Sequence, residues 1–203
     1  MPCHRSLAIL LAASLLCAAA PAFAQRSQAG ENLDAFNDQT VAVPAAGRLE
    51  VGFSPNAGAE KLVLKVIRSA QREIRILAYT FTSAPVTAAL LDARHRGVEV
   101  ALVVDHKASL IDDRSGKARR ALAALANAGC RIRTSSVYPI HHDKAIIVDA
   151  RTVETGSFNY SSSAAIRNSE NVLVNWNNPA LARVFLRHWQ SRFAEGEDYR
   201  PAY

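Results

Sequence analysis

Cysteine is scarce in this chain. It has three in 203 residues, and Cys3 and Cys17 fall in an N-terminal stretch expected to be removed. The remaining Cys130 cannot form an internal disulfide, so a cystine framework is excluded. Aromatic residues make up 7% of the chain, which leaves little material for a platform on which single-stranded bases would stack. A glycine-rich phosphate loop, zinc-finger spacing and a Gly-x-Ser-x-Gly elbow are all missing. Acidic residues do not gather in metal-ligand spacing: Asp112 and Asp113 have no histidine or further acid beside them. No second long apolar run follows residue 24, so no stable membrane insertion is expected of the mature chain.

What is present begins with MPCHRSLAILLAASLLCAAAPAFAQ. Arg5 supplies a positive start, Leu7 to Ala20 an apolar core, and Ala22-Phe23-Ala24 a small-residue cleavage site. Residues 1–24 are therefore expected to be a signal peptide, which implies a periplasmic or secreted bacterial protein. Residues 25–47 are polar and small, without a clear period, and are expected to form a flexible lead-in. Residues 48–203 suffice for one domain with a sizeable core. Lys and Arg number 24 against 18 Asp and Glu, a formal charge of +6. Such a surface favours polyanions, either nucleic acid or an anionic membrane face.

Hydrophobic periodicity predicts strands at 49–53, 73–79, 99–104, 132–134, 144–148, 152–155 and 171–175. It predicts helices at 59–70, 85–96, 117–128 and 179–193. Pro85 falls in a first helical turn, and Gly97 and Gly129 close their helices. Cys130 reads as a small buried hydrophobe, and Asp112-Asp113-Arg114 as a solvated loop. His106 and Lys107 follow a strand, where α/β proteins place ligands, but they too read as loop. Alternating strands and helices imply an α/β fold, a central mixed β-sheet flanked by helices on both faces. No internal repeat is evident.

One segment carries chemistry. HDKAIIVDARTVETGSFN has the pattern His-x-Lys-x4-Asp-x6-Gly-Ser-x-Asn, placing His142, Lys144, Asp149, Gly156, Ser157 and Asn159. KAIIV reads as a buried strand, Asp149-Ala150-Arg151 as a turn and TVET as the returning strand. Residues two apart on a strand share a face, so His142 and Lys144 leave one side together, as do Ser157 and Asn159. Gly156 would let the backbone approach a ligand closely. His141 would point away from His142, which argues against a histidine metal pair. Imidazole can act as nucleophile or acid near neutral pH. Lysine is a compact charge for a phosphate oxygen, and serine and asparagine add neutral donors. The set suits metal-free attack on a phosphodiester, with no cofactor.

These residues resemble the HKD motif of the phospholipase D superfamily at every defining position. From Val51-Gly52-Phe53-Ser54-Pro55 to His188-Trp189-Gln190 and Asp198-Tyr199-Arg200, the chain resembles that superfamily's small bacterial periplasmic endonucleases. The resemblance implies a phospholipase D-like α/β/α sandwich and a covalent phosphohistidine on His142. It implies that Lys144 and Asn159 bind the phosphate, that Glu170 orients the histidine and that Asp149 is structural. A second histidine would protonate the leaving oxygen. The chain holds a single His-x-Lys-x4-Asp, so two copies in a homodimer are expected to build one shared site.

Three functions follow as candidates. The first is a metal-independent endonuclease with little sequence preference, cutting DNA, with RNA also open. The second is a phospholipase D acting on lipid headgroups with the same residues. The third is a nucleic-acid-binding protein that keeps the fold without catalysis, which the intact His142, Lys144 and Asn159 argue against.

Overall fold

The computed structural model describes Met1 and residues 40–201. The expected signal peptide beyond Met1, and the lead-in as far as residue 39, lie outside the described residues. Eight strands form one mixed sheet. They are Arg48–Ser54 (β1), Glu73–Ala78 (β2), Glu99–Asp105 (β3), Arg131–Ser135 (β4), Lys144–Val148 (β5), Thr152–Gly156 (β6), Glu170–Trp176 (β7) and Glu197–Asp198 (β8). Their order across the sheet is β1-β7-β6-β5-β2-β3-β4-β8. Strands β2, β3 and β4 run parallel, and every other pairing is antiparallel.

The helices are Ala59–Ser69 (α1), Ala84–His95 (α2), Lys117–Asn127 (α3), Ser162–Ile166 (α4) and Pro179–Glu195 (α5). Ile76, Val104, Ile146 and Val174 pack into the core cluster that holds Leu62, Val66, Leu90 and Leu122 of the first three helices. Their neighbours along the strands, Leu77, Val103 and Ile147, together with Val153 of β6, pack with Ala182 and Trp189 of α5. Both faces of the central strands are covered, which is why ILA, VALVV and AIIV run apolar without alternation, while Arg75 in β2 is buried paired with Glu73 and Glu99. Trp189 anchors α5. Its ring N–H donates to the Ile76 carbonyl at 3.1 Å and its ring stacks on Phe193 at 4.6 Å. Truncating such a side chain to alanine typically removes about 3–5 kcal/mol.

Strands β5, β6 and β7 are sequential neighbours. The β5–β6 turn closes through Arg151 N–H to Val148 O at 3.0 Å, with Asp149 and Ala150 at φ of 52° and 55°. Two left-handed central residues are the signature of a type I′ hairpin. This antiparallel path brings the start of β5, the end of β6 and the start of β7 to one end of the sheet.

Three elements have no counterpart in the periodicity: the π-helical turn Lys107–Ile111, the short α4 and the two-residue β8. One expectation needs correcting. His142 is not a strand residue; β5 starts at Lys144, and His142 lies in the irregular segment before it.

Candidate active site

Lys144, first residue of β5, is buried. Its ammonium donates to the His142 carbonyl at 2.7 Å and sits 5.3 Å from the centre of the Tyr79 ring. Burial pulls its pKa below the ordinary lysine value, and the carboxylates of Asp143 and Glu170 oppose that shift. The His142 side chain is exposed and lies 4.8 Å from the Tyr79 ring, centroid to centroid. One tyrosine thus supports both the imidazole and the ammonium.

Glu170 opens β7 at the same end of the sheet. Its carboxylate accepts from the Ser157 hydroxyl at 2.6 Å and from the Asn168 amide at 2.8 Å. The Ser157 hydroxyl in turn accepts from Asn171 N–H at 3.0 Å. The expected orienting bond from Glu170 to His142 is not formed among the described residues. Glu170 instead fixes Ser157 and bears electrostatically on Lys144. Asn159 follows β6, and its Oδ1 is buried with no hydrogen-bond partner among the described residues. Its Oδ1 is an acceptor, so any contact to an anion would have to come from its Nδ2 donors.

Gly156 plays a different part from the one its sequence position suggested. A Cβ there would lie 2.2 Å from the Asn171 carbonyl. The close approach is by the β7 backbone, not by a ligand. Asp149 sits at the far end of β5. Its carboxylate accepts from the backbone N–H groups of Gln71, Arg72 and Glu73 at 2.9, 2.8 and 2.9 Å. It splices the start of β2 to the β5–β6 turn and takes no place beside Lys144.

Sequence patterning missed three neighbours, and it weighed a fourth, His141, only as a metal ligand. Tyr79 follows β2 and lies against His142 and Lys144. Asp105, at the end of β3, is buried and accepts from Ala108 N–H at 2.7 Å and from His141 N–H at 2.8 Å. Asp143 lies between the two motif residues, and its Oδ2 is 3.0 Å from Nε2 of His188 on α5. His141 is buried, its Nδ1 3.8 Å from Asp143, and burial pushes its pKa down. The one legible signal was an acid at the end of a buried parallel strand. His106 packs toward Thr134 instead, its Nδ1 3.5 Å from the hydroxyl.

A cavity of about 450 Å³ opens beside His142, lined also by Tyr138, Ile140, His141, Asp143 and Arg192. A second, of about 460 Å³ between α2 and α3, holds no motif residue. The described residues contain no group of three or more His, Cys, Asp or Glu side chains able to hold a metal ion. No helix among them is long and apolar enough to cross a membrane.

The chain is similar to known proteins in sequence and in fold. The family described as "Cardiolipin synthase, PLD-like domain" matches residues 63–193. A protein named phospholipase D from Rickettsia bellii is 37% identical over 142 residues, 70% of this chain and 67% of that one. The crystal structure of Nuc from Salmonella typhimurium, described as a phospholipase D family member, superimposes with a TM-score of 0.72. It shares 46% identity and covers 75% of this chain and 98% of its own. NucT from Helicobacter pylori shares the fold at a TM-score of 0.66 and 19% identity, over 75% of this chain and 99% of its own.

Proposed function

Because the chain belongs to the phospholipase D-like family of phosphodiesterases, we propose that His142 is its nucleophile and that it cuts nucleic acid as a metal-independent endonuclease. The observation that carries this reading is the buried Lys144 ammonium bound to the carbonyl of an exposed His142. A fixed cation beside a free imidazole is what an anionic diester needs in order to be held and attacked. In the first step an imidazole nitrogen forms a bond to phosphorus and the P–O bond to the leaving alcohol breaks. The leaving oxygen takes a proton from a second imidazole. Water then attacks phosphorus, the P–N bond breaks, and the water's proton returns to the second imidazole. Lys144 and Asn159 hold the non-bridging oxygens.

Each chain offers one motif histidine, so the second imidazole is that of another copy, and the working unit is a homodimer with one shared site. The chain's net charge of +6 favours a polyanionic substrate. The signal-like N-terminus supports action in the periplasm or outside the cell. A relative named phospholipase D supports a second reading, hydrolysis of lipid headgroups with the same residues.

Two assays in excess EDTA separate these readings: nicking of supercoiled plasmid and headgroup release from phosphatidylcholine vesicles. Nicking without headgroup release is expected, and both should vanish in a folded His142→Ala protein. Activity that dies in EDTA and returns with Mg²⁺ or Zn²⁺ would overturn the metal-free reading. Headgroup release alone would select the second.

A further inference from the structure

The segment that carries His142 has no regular structure. Residues 136–143 leave β4 and reach β5 as an irregular loop, so its shape must come from tethers outside itself. One is Asp105, which receives His141 N–H at 2.8 Å. The others come from α5. The Tyr138 hydroxyl donates to Glu195 at 2.8 Å and meets the Arg192 guanidinium, which also pairs with Glu195 at 2.7 Å. Near the loop's end, His188 Nε2 lies 3.0 Å from Asp143 Oδ2. His188, Arg192 and Glu195 are spaced i, i+4, i+7, which sets them in one stripe of the helix. That stripe runs along the loop and grips it near both ends.

We infer that His188 is a positioning residue for the reaction: through Asp143 it fixes the backbone from which His142 and Lys144 project. This inference rests on the reading of His142 as nucleophile. Asp143 is the residue between nucleophile and phosphate-binding lysine, and the Lys144 ammonium is docked on the His142 carbonyl. A shift of the Asp143 backbone therefore moves both groups at once. Among the described residues, the ring contact of His142 is with Tyr79, so its placement is inherited from the main chain. The anchor is firm because His188 precedes the buried Trp189, bonded to the Ile76 carbonyl. Burial pushes the Asp143 carboxyl up, but the His188 hydrogen bond and the nearby positive charges outweigh it and hold the group ionised. The clamp thus joins an imidazole to a carboxylate, a stronger bond than a neutral pair.

Two variants test the clamp. His188→Phe keeps the ring volume and removes the donor. His188→Gln keeps an N–H close to the place of Nε2. With bis(p-nitrophenyl) phosphate, His188→Phe should lower kcat by about 30-fold and leave KM within about twofold, because a misplaced nucleophile slows chemistry more than binding. His188→Gln should regain most of that loss. Adding Asp143→Ala to His188→Phe should cost nothing beyond Asp143→Ala alone, since both break one bond. Wild-type kcat in His188→Phe, equal losses in the Phe and Gln variants, or losses that add would each overturn the clamp.

Hydrogen exchange of the loop amides at residues 136–143 reads the clamp without any activity. Exchange should be faster in His188→Phe and near wild type in His188→Gln; unchanged exchange in His188→Phe also overturns the proposal. Activity retained in His142→Ala would instead remove the nucleophile assignment, and the exchange result would still decide the clamp.

Discussion

Asp149 and Lys144 bound the same five-residue strand, yet their charges do opposite work. The Asp149 carboxylate is spent on three backbone donors at the entry to β2, and the Lys144 ammonium stands beside His142, the proposed nucleophile. Burial pushes the Asp149 carboxyl up, but the hydrogen bonds from Glu73, Gln71 and Arg72 outweigh it and leave its pKa below the ordinary value. A carboxyl depressed in the folded state adds stability above its unfolded pKa, and that stability is lost as pH falls through the folded value. Asp149→Ala should therefore destabilise by about 2–3 kcal/mol near neutral pH, with the deficit closing in acid. Activity per folded molecule should be largely kept. Lys144→Ala should show the reverse, a fold near wild type and turnover down by about a hundredfold or more. Urea unfolding beside initial rates checks both, and an unstable Lys144→Ala or an inactive but stable Asp149→Ala would exchange the two roles. Gly156→Ala belongs with Asp149. Its Cβ would overlap the Asn171 carbonyl at 2.2 Å, so β6 must part from β7 at a cost of about 1–3 kcal/mol. The Ser157–Glu170 bond should loosen with it, and an Ala variant as stable as wild type would contradict the close approach.

Among the elements, β6 carries a charge-bearing residue into the core. Glu154 is fully buried, and its Oε2 accepts from the Tyr160 hydroxyl at 2.9 Å. Burial pushes its pKa up to about 8, with the Tyr160 bond only partly opposing, and Tyr160 is itself raised by burial and by Glu154. A carboxyl raised above its unfolded value contributes stability that is whole below the unfolded pKa and is lost as pH rises through the folded one. Glu154→Gln removes that proton linkage. Wild type should lose ground to the Gln variant by about 1.4 kcal/mol per pH unit between about pH 5 and pH 8. Thermal melts across that range check it, and a difference independent of pH would show that Glu154 does not keep its proton. Sequence patterning could not see this residue, because T-V-E-T reads as an alternating strand whether its glutamate faces water or the core. The rest of the sheet was legible because covered strands must be apolar throughout and each helix carried one apolar face. The irregular loop before β5 was not legible. Its shape comes from Asp105, His188 and Glu195, all at least 30 residues away in sequence, and no local period reports such tethers. Gly156 was legible as a place of close approach but not for what approaches, since only the β6–β7 register supplies the Asn171 carbonyl.

At the scale of the whole molecule, the β1–β7 edge of one sheet face has no cover among the described residues. Leu49, Val51 and Phe53 of the edge strand β1 are 61%, 59% and 51% exposed, and Leu173, paired with Val51, is 39% exposed. These side chains share the α5 face of the sheet, beyond the reach of α5, and the strip ends beside the Ser54–Glu170 pair at the end where Ser157 and Lys144 lie. An apolar strip on an open edge strand is a surface that a soluble protein covers by association. On the proposed mechanism, it would seat a second copy next to the site that would then receive a second histidine. Val51→Lys should then yield folded monomers with little activity, seen by sedimentation and circular dichroism. Shared catalysis has a sharper consequence, which can be counted. Wild type and His142→Ala, refolded together in equal amounts, should pair at random, leaving about one quarter of the dimers with two working histidines. A mixed dimer has a nucleophile without a proton donor, or a donor without a nucleophile, so it cannot complete the cycle. Activity should fall to about one quarter of that of wild type alone at the same total protein concentration. A chain that worked by itself would give one half, and that result would dismiss the shared site even if sedimentation found a dimer.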